Sequence, residues 1–151
     1  MSFDPTGLDP GLALTFLFIG ALAASTLIPL QSEALLLAAL LVEGVSPAAA
    51  VVVATIGNTL GGQINWLIGR YARRFENARW FPVGAERLAQ AERWYARRGV
   101  WSLLLCWTPW LGDPLTIAAG AMCTNFWIFT AITAPARLAR YIVVVWVFNA
   151  V

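Results

Sequence analysis

The sequence predicts an all-α integral membrane protein, built as an inverted repeat of a re-entrant helical hairpin plus a transmembrane helix. Three observations predict it. The 151 residues are 60% hydrophobic and only 12% charged, with a mean hydropathy of +0.70; a soluble domain is about a quarter charged. The apolar residues fall into four blocks, and two of these are broken by prolines and an acid. The broken blocks also match each other. With Pro29 laid over Pro109, Glu33 falls on Asp113, Leu35 on Leu115, Leu37 on Ile117, and Ala38-Ala39 on Ala118-Ala119. Matching interruptions in two halves point to an inverted repeat with a site near the bilayer midplane. Chance similarity between two alanine- and leucine-rich runs is the competing explanation. By length the chain is a single membrane domain, 1–151.

The elements follow in order. The first ten residues carry Asp4 and Asp9 and no base. A signal peptide needs a positive start, so the first apolar run is expected in the mature protein. That run is the first broken hairpin, 11–42, interrupted at Pro29-Leu-Gln-Ser-Glu33. It is long enough for more than one pass of about 20 residues, which leaves a re-entrant and a fully spanning path both open. A transmembrane helix is expected over 47–69, where Pro47 suits a first helical turn. Within it Gly57 and Gly61 form a G-x-x-x-G, a face for close helix packing. Asn58, Gln63 and Asn65 add amides to the same helix; Asn58 and Asn65 are seven apart, on one face, and could line a polar path.

Residues 70–98 form a basic connector, with eight arginines against three glutamates. Arginine-rich short loops stay cytoplasmic. Phe81-Pro82-Val83-Gly84 splits the connector, and Leu88, Ala91 and Tyr95 then share one face of an amphipathic helix. That pattern reads as a helix lying in the headgroup layer, with an ordinary solvated connector as the alternative. A second broken hairpin, 100–122, is interrupted at Pro109, Gly112, Asp113 and Pro114. The last transmembrane helix, 126–151, contains Pro135, Arg137 and Arg140. If both hairpins are re-entrant, the helices at 47–69 and 126–151 cross in opposite directions. Both termini then lie outside, and the hairpins enter from opposite faces.

Composition narrows the chemistry. Histidine and lysine are absent, so histidine catalysis and histidine metal sites are excluded. Cys106 and Cys123 have neither a disulfide-framework nor a zinc spacing and read as small apolar filler. No cofactor is expected. A net charge of +2 makes no case for nucleic acid. The eight tryptophans read as interfacial anchors and packing residues.

Glu33 and Asp113 are the candidate proton- or ion-handling groups. A charge in mid-membrane costs roughly 2.5–3.5 kcal/mol on insertion scales, so it needs a cavity or a partner. Desolvation and a second acid nearby both favour the protonated carboxyl, which suits proton exchange near neutral pH. Capping of the helices that follow them is the structural alternative, and the two roles are compatible. Arg137 and Arg140, three apart on one helix face near its middle, are the candidate anion-binding or counter-charge residues. Snorkelling is their alternative reading.

Ser32-Glu33 after a proline, Gly57-Asn-Thr-Leu-Gly-Gly, and Gly61-Gly-Gln-Ile-Asn-Trp-Leu-Ile-Gly-Arg70 resemble the DedA family of membrane proteins, also called the SNARE-associated or VTT domain. The Trp107-to-Gly120 stretch with Gly112-Asp113-Pro114 is similar to that family's short YqaA-like branch. The resemblance covers about residues 15–142. It implies two opposed re-entrant hairpins in the bacterial cytoplasmic (inner) membrane, and proton-motive-force-dependent transporters or flippases, some acting on the lipid carrier undecaprenyl phosphate. It also implies essential acids and arginines in the hairpins. Glu33 matches the first-hairpin acid, and Gly69-Arg70 the end of the family's G-D-x-x-x-Y-x-x-G-R pattern. This chain departs from the family at Gly62, where the pattern has Asp, and at Cys106 and Gly112, where the second hairpin carries two arginines.

The expectation is therefore a multi-pass inner-membrane transporter or lipid flippase-like protein. Glu33 and Asp113 would meet at the hairpin tips and Arg137 and Arg140 would hold an anionic lipid or solute. Its expected partners are membrane lipids, polyprenyl phosphate among them, protons or another coupling ion, and a second copy in a homo-oligomer. The rival is a non-transporting scaffold for membrane homeostasis or partner assembly, with the charges as structural pairs. An intramembrane hydrolase would have only a carboxylate pair to work with, and an enzyme is not expected.

Overall fold

The computed structural model describes residues 7–25, 31–72, 84–108 and 112–150, and their regular structure is helical throughout. α1 spans Pro10–Ala24, α2 Ser32–Leu40, α3 Pro47–Ala72 and α4 Ala85–Arg98. A 3-10 helix, Gly99–Trp107, leads to α5, Gly112–Ala121, and α6, Phe126–Ala150, follows. The expected hairpin breaks at Pro29 and Pro109 lie outside the described residues, as do residues 73–83 of the basic connector.

Local chemistry sets the helix ends. Asp9 caps α1 by accepting from the Leu12 amide at 3.2 Å, with Pro10 in the first turn. Ser46 caps α3 through Ala49 N, also 3.2 Å, ahead of Pro47. Asn125 caps α6, its side-chain oxygen accepting from Trp127 N at 2.9 Å; each such cap satisfies an amide with no intrahelical partner. α4 stops at Gly99, whose φ of +60° favours glycine. α5 ends in a Schellman turn: Thr124 N donates to Ala119 O and Cys123 N to Gly120 O, each at 3.0 Å. Cys123 takes the left-handed position with φ +56° and is exposed, so it is not buried filler.

α3 is the central post. The backbone of α1 crosses it at Gly57 and Gly61, where a Cβ would come 2.6 Å from Phe18 O and 2.8 Å from Leu22 O. Farther along, Gly69 lies against the Ile117 carbonyl and Gly120 against the Trp66 carbonyl, so α5 and α3 approach through reciprocal glycines. Only hydrogen fits at these contacts. Three apolar clusters result, two of them adjoining. One joins Leu17, Leu36, Ala54 and Tyr141 from α1, α2, α3 and α6. The adjoining pair joins α4 to α5 through Leu88 and Leu115, and α4, the 3-10 helix and α5 to the end of α3 and the start of α6 through Tyr95, Leu103, Ala119, Trp66 and Phe129.

The packing of α4 changes what its apolar face is read to meet. Leu88, Ala91 and Tyr95 are buried against α5 and the 3-10 helix, not against lipid. The amphipathic period correctly marked a buried face. Protein covers it because α5 and the 3-10 helix present Leu115, Ala118 and Leu103 at the same level.

The exterior is apolar where the interior is polar. Val52, Ile56, Leu60, Ile64 and Leu67 form an exposed row along α3, and Ile142, Val143, Trp146 and Val147 are exposed on α6. Ser25, Ser32, Asn58, Asn65, Thr116, Thr133 and Arg137 are buried. Apolar patches of this extent mark contact with a membrane or a partner. Among the described helices, α6 is long and apolar enough to cross a membrane, and most of its apolar window is unburied. By contrast α2 and α5, with 9 and 10 residues, are only about 14 and 15 Å long, roughly half the hydrocarbon thickness.

Candidate functional site

Arg137 is the hub of the buried polar layer. Exposed Trp127 and Trp146 stand near the two ends of α6, and Arg137 lies ten and nine residues from them. At 1.5 Å per residue it is about 15 Å from either tryptophan, and the two tryptophans are roughly one hydrocarbon thickness apart. Its side chain is 2% exposed. A snorkelling arginine would reach for the interface; this one turns inward.

Four other elements reach its guanidinium. Nη1 donates to Ser25 Oγ, 3.1 Å away at the end of α1. The Ser25 hydroxyl and the Arg137 charge both act on the Asp113 carboxyl in the first turn of α5. The Cys106 thiol, near the end of the 3-10 helix, lies close to the same guanidinium. From α3, Gly62 leaves the space that the guanidinium fills. One hydroxyl thus serves both a buried arginine and a half-buried acid. It can do so because it donates one hydrogen bond and accepts another.

Asn65 closes the other side. It is fully buried on α3, and its Nδ2 donates to Ser25 O at 2.6 Å and to Asp113 Oδ1 at 3.5 Å. Arg137 Nε and Asn65 Oδ1 are both buried without a hydrogen-bond partner. A donor and an acceptor left open in one layer are costly unless a ligand or water completes them.

A second group lies one helical turn on. Arg140 forms an ion pair with Glu33 in the first turn of α2, both half-buried. Tyr141 donates to Ser32 Oγ at 2.9 Å, and Asn58 lies near the same tyrosine. Gln63 stands apart from both groups, donating to Thr130 Oγ1 at 3.2 Å. Each acid therefore has its own arginine, Arg140 for Glu33 and Arg137 for Asp113. Among the described residues, the link between the two acids runs through Arg137 and Arg140 on α6. Attraction to a nearby guanidinium offsets the burial of each carboxylate, where a second carboxylate would add repulsion.

Among the expected site residues, Glu33, Asn58, Asn65, Asp113, Arg137 and Arg140 enter these two groups. Gly57 and Gly61 hold α1 against α3. Gly112 starts α5 pressed against the Cys106 carbonyl, and Pro114 is buried in the same turn. Ser25, Ser32, Cys106 and Tyr141 were not singled out as site residues. Tyr141 could have been: it follows Arg137 by four residues and so shares its helix face. Ser25 and Ser32 flank the first break, but nothing in their spacing says what they touch. Among the described residues no cluster of His, Cys, Asp and Glu could hold a metal ion.

The VTT-domain family profile matches residues 28–150. The chain is 34% identical over 138 residues to the inner membrane protein YqaA of Escherichia coli strain K12, covering 91% of this chain and 92% of that protein. The Shigella flexneri inner membrane protein YqaA gives the same identity and coverage. An uncharacterized protein of Haemophilus influenzae is 28% identical over 86% of this chain and 83% of its own length. No solved structure matches the chain.

Proposed function

The chain belongs to the VTT-domain (DedA) family, and from that premise we propose that it is an inner-membrane transporter or flippase-like protein for an anionic group. The phosphate of a polyprenyl lipid carrier is the substrate class, and protons are the coupling ion. The observation that carries this reading is the Arg137–Ser25 hydrogen bond at the middle of α6, with Asp113 tied to the same place through Asn65. A guanidinium with an open Nε suits a phosphate oxygen. An acid one hydroxyl away can take or release a proton as the anion arrives or leaves.

The names of the Escherichia coli and Shigella flexneri relatives support the inner membrane as the location. Half-membrane lengths of α2 and α5 support two re-entrant hairpins, each followed by a crossing helix. The Pro29/Pro109 register and the two apolar clusters around α2 and α5 support an inverted repeat. Excess arginine over 70–98 supports a cytoplasmic connector.

The Glu33–Arg140 ion pair favours a second reading, a membrane scaffold whose charges are structural pairs. Reconstitution separates the two. The protein is placed in liposomes with an imposed pH gradient, and polyprenyl phosphate and small ions are tested as substrates. Transport lost in Glu33→Gln and Asp113→Asn, with the fold intact, supports the transporter. Full activity in both variants removes it.

A further inference from the structure

The arginines of α4 are arranged by side, not spread evenly. Leu88, Ala91 and Tyr95 define the buried face. Glu86, Arg93 and Arg97 fall opposite it by the helical period, at an exposed crest. Arg87, Trp94 and Arg98, spaced by seven and four residues, form a row along one flank. Ala91 shares that row and is fully buried, so the row runs at the edge of the contact with α5. Glu92 falls on the other flank. One side of the helix thus carries two arginines around a tryptophan and no acid.

The row is built rather than loose. Trp94 packs against the Leu88–Leu115 cluster, and the Arg98 guanidinium lies over its ring at 4.9 Å from the centroid. That stacking holds the arginine beside the bundle while Arg87 and Arg98 both remain exposed. The level in the bilayer is marked by aromatics. Tyr95, next to Trp94, clusters with Trp66, Phe126 and Phe129 at the end of α3 and the start of α6. Tyr71, Trp101 and Trp127, close in sequence to that cluster, are 71%, 70% and 76% exposed. Exposed Trp and Tyr belong at the membrane–water boundary.

We propose that the Arg87–Trp94–Arg98 flank of α4 is a docking surface for the phosphate headgroups of anionic glycerophospholipids in the adjoining leaflet. Charge and level both choose that occupant. Two guanidinium groups match phosphate oxygens, and the indole between them suits the headgroup boundary. This surface is separate from the Arg137 site and does not depend on any transport activity.

The test uses the full chain reconstituted in phosphatidylcholine bilayers. Electron paramagnetic resonance of spin-labelled phosphatidylglycerol and spin-labelled phosphatidylcholine measures which lipid the protein holds. The wild type is expected to prefer phosphatidylglycerol, and added salt to weaken the preference. Arg87→Gln with Arg98→Gln should lower it by roughly two- to fivefold, whereas Arg93→Gln with Arg97→Gln should leave it nearly unchanged. No preference in the wild type overturns the proposal, and so does a preference that ignores salt. An equal loss in the crest variant also overturns it, since general basicity would then explain the binding.

Discussion

The guanidinium of Arg137 lies against Gly62, so closely that a Cβ at residue 62 would sit 2.6 Å from Nη2 and 2.9 Å from Cζ. α3 therefore leaves a gap where α6 places a charge. Alanine favours an exposed helix interior over glycine by about 1 kcal/mol, so Gly62→Ala is expected to help α3 locally. The clash should win, because the guanidinium is buried and its bond to Ser25 is charge-assisted, worth about 1.5–3 kcal/mol. The expected outcome is a helical protein with lower thermal stability in detergent and reduced transport. Unchanged stability and transport would show that the guanidinium has room to move.

Glu33 and Arg140 should behave as one unit. Removing either charge leaves the other half-buried and alone, and is expected to cost about 1–3 kcal/mol, between exposed and buried pairs. The exchange Glu33→Arg with Arg140→Glu should recover most of that loss. A double-mutant cycle on unfolding in detergent measures the coupling. If stability returns but transport does not, the pair has a role beyond holding α2 to α6.

Asn65 holds the end of α1 and Asp113 together. Asn65→Leu keeps the size but leaves the Ser25 carbonyl and the Asp113 carboxylate without that donor. About 1–3 kcal/mol of stability is expected to be lost, read from denaturant unfolding in detergent. A neutral outcome would mean that water takes over both contacts.

The helical elements were largely legible, because their causes are local. Pro47 and Asn125 start long helices, Gly99 stops one, and the Leu88/Ala91/Tyr95 period marks a buried face. What covers that face was not legible, since a period records which side is buried and not which neighbour buries it. The site was half legible for a related reason. Arg137 and Arg140 stand out in an apolar helix by type alone. Their partners come from residues more than a hundred positions away, Ser25 and Glu33, and only the tertiary fold brings those together. Gly62 was the most misleading position. Beside the family pattern it read as a missing acid, yet in the fold its lack of a side chain is what admits Arg137.

The packing of α4 has its own check. Leu88 is 1% exposed between α4 and α5, so Leu88→Ala should cost about 2–5 kcal/mol. Leu67, 44% exposed on α3, faces outward, and Leu67→Ala should be nearly neutral in detergent. Equal small effects at both positions would mean that α5 does not cover the Leu88 face.

The central claim is that Arg137 receives an anionic group at the middle of the membrane. Its most direct measurement is polyprenyl phosphate translocation in proteoliposomes under a pH gradient, comparing wild type with Arg137→Gln and with Arg93→Gln. The account predicts transport by the wild type and by Arg93→Gln, and none by a folded Arg137→Gln. Undiminished transport by Arg137→Gln would contradict it, and so would a wild type that moves no anionic lipid or ion.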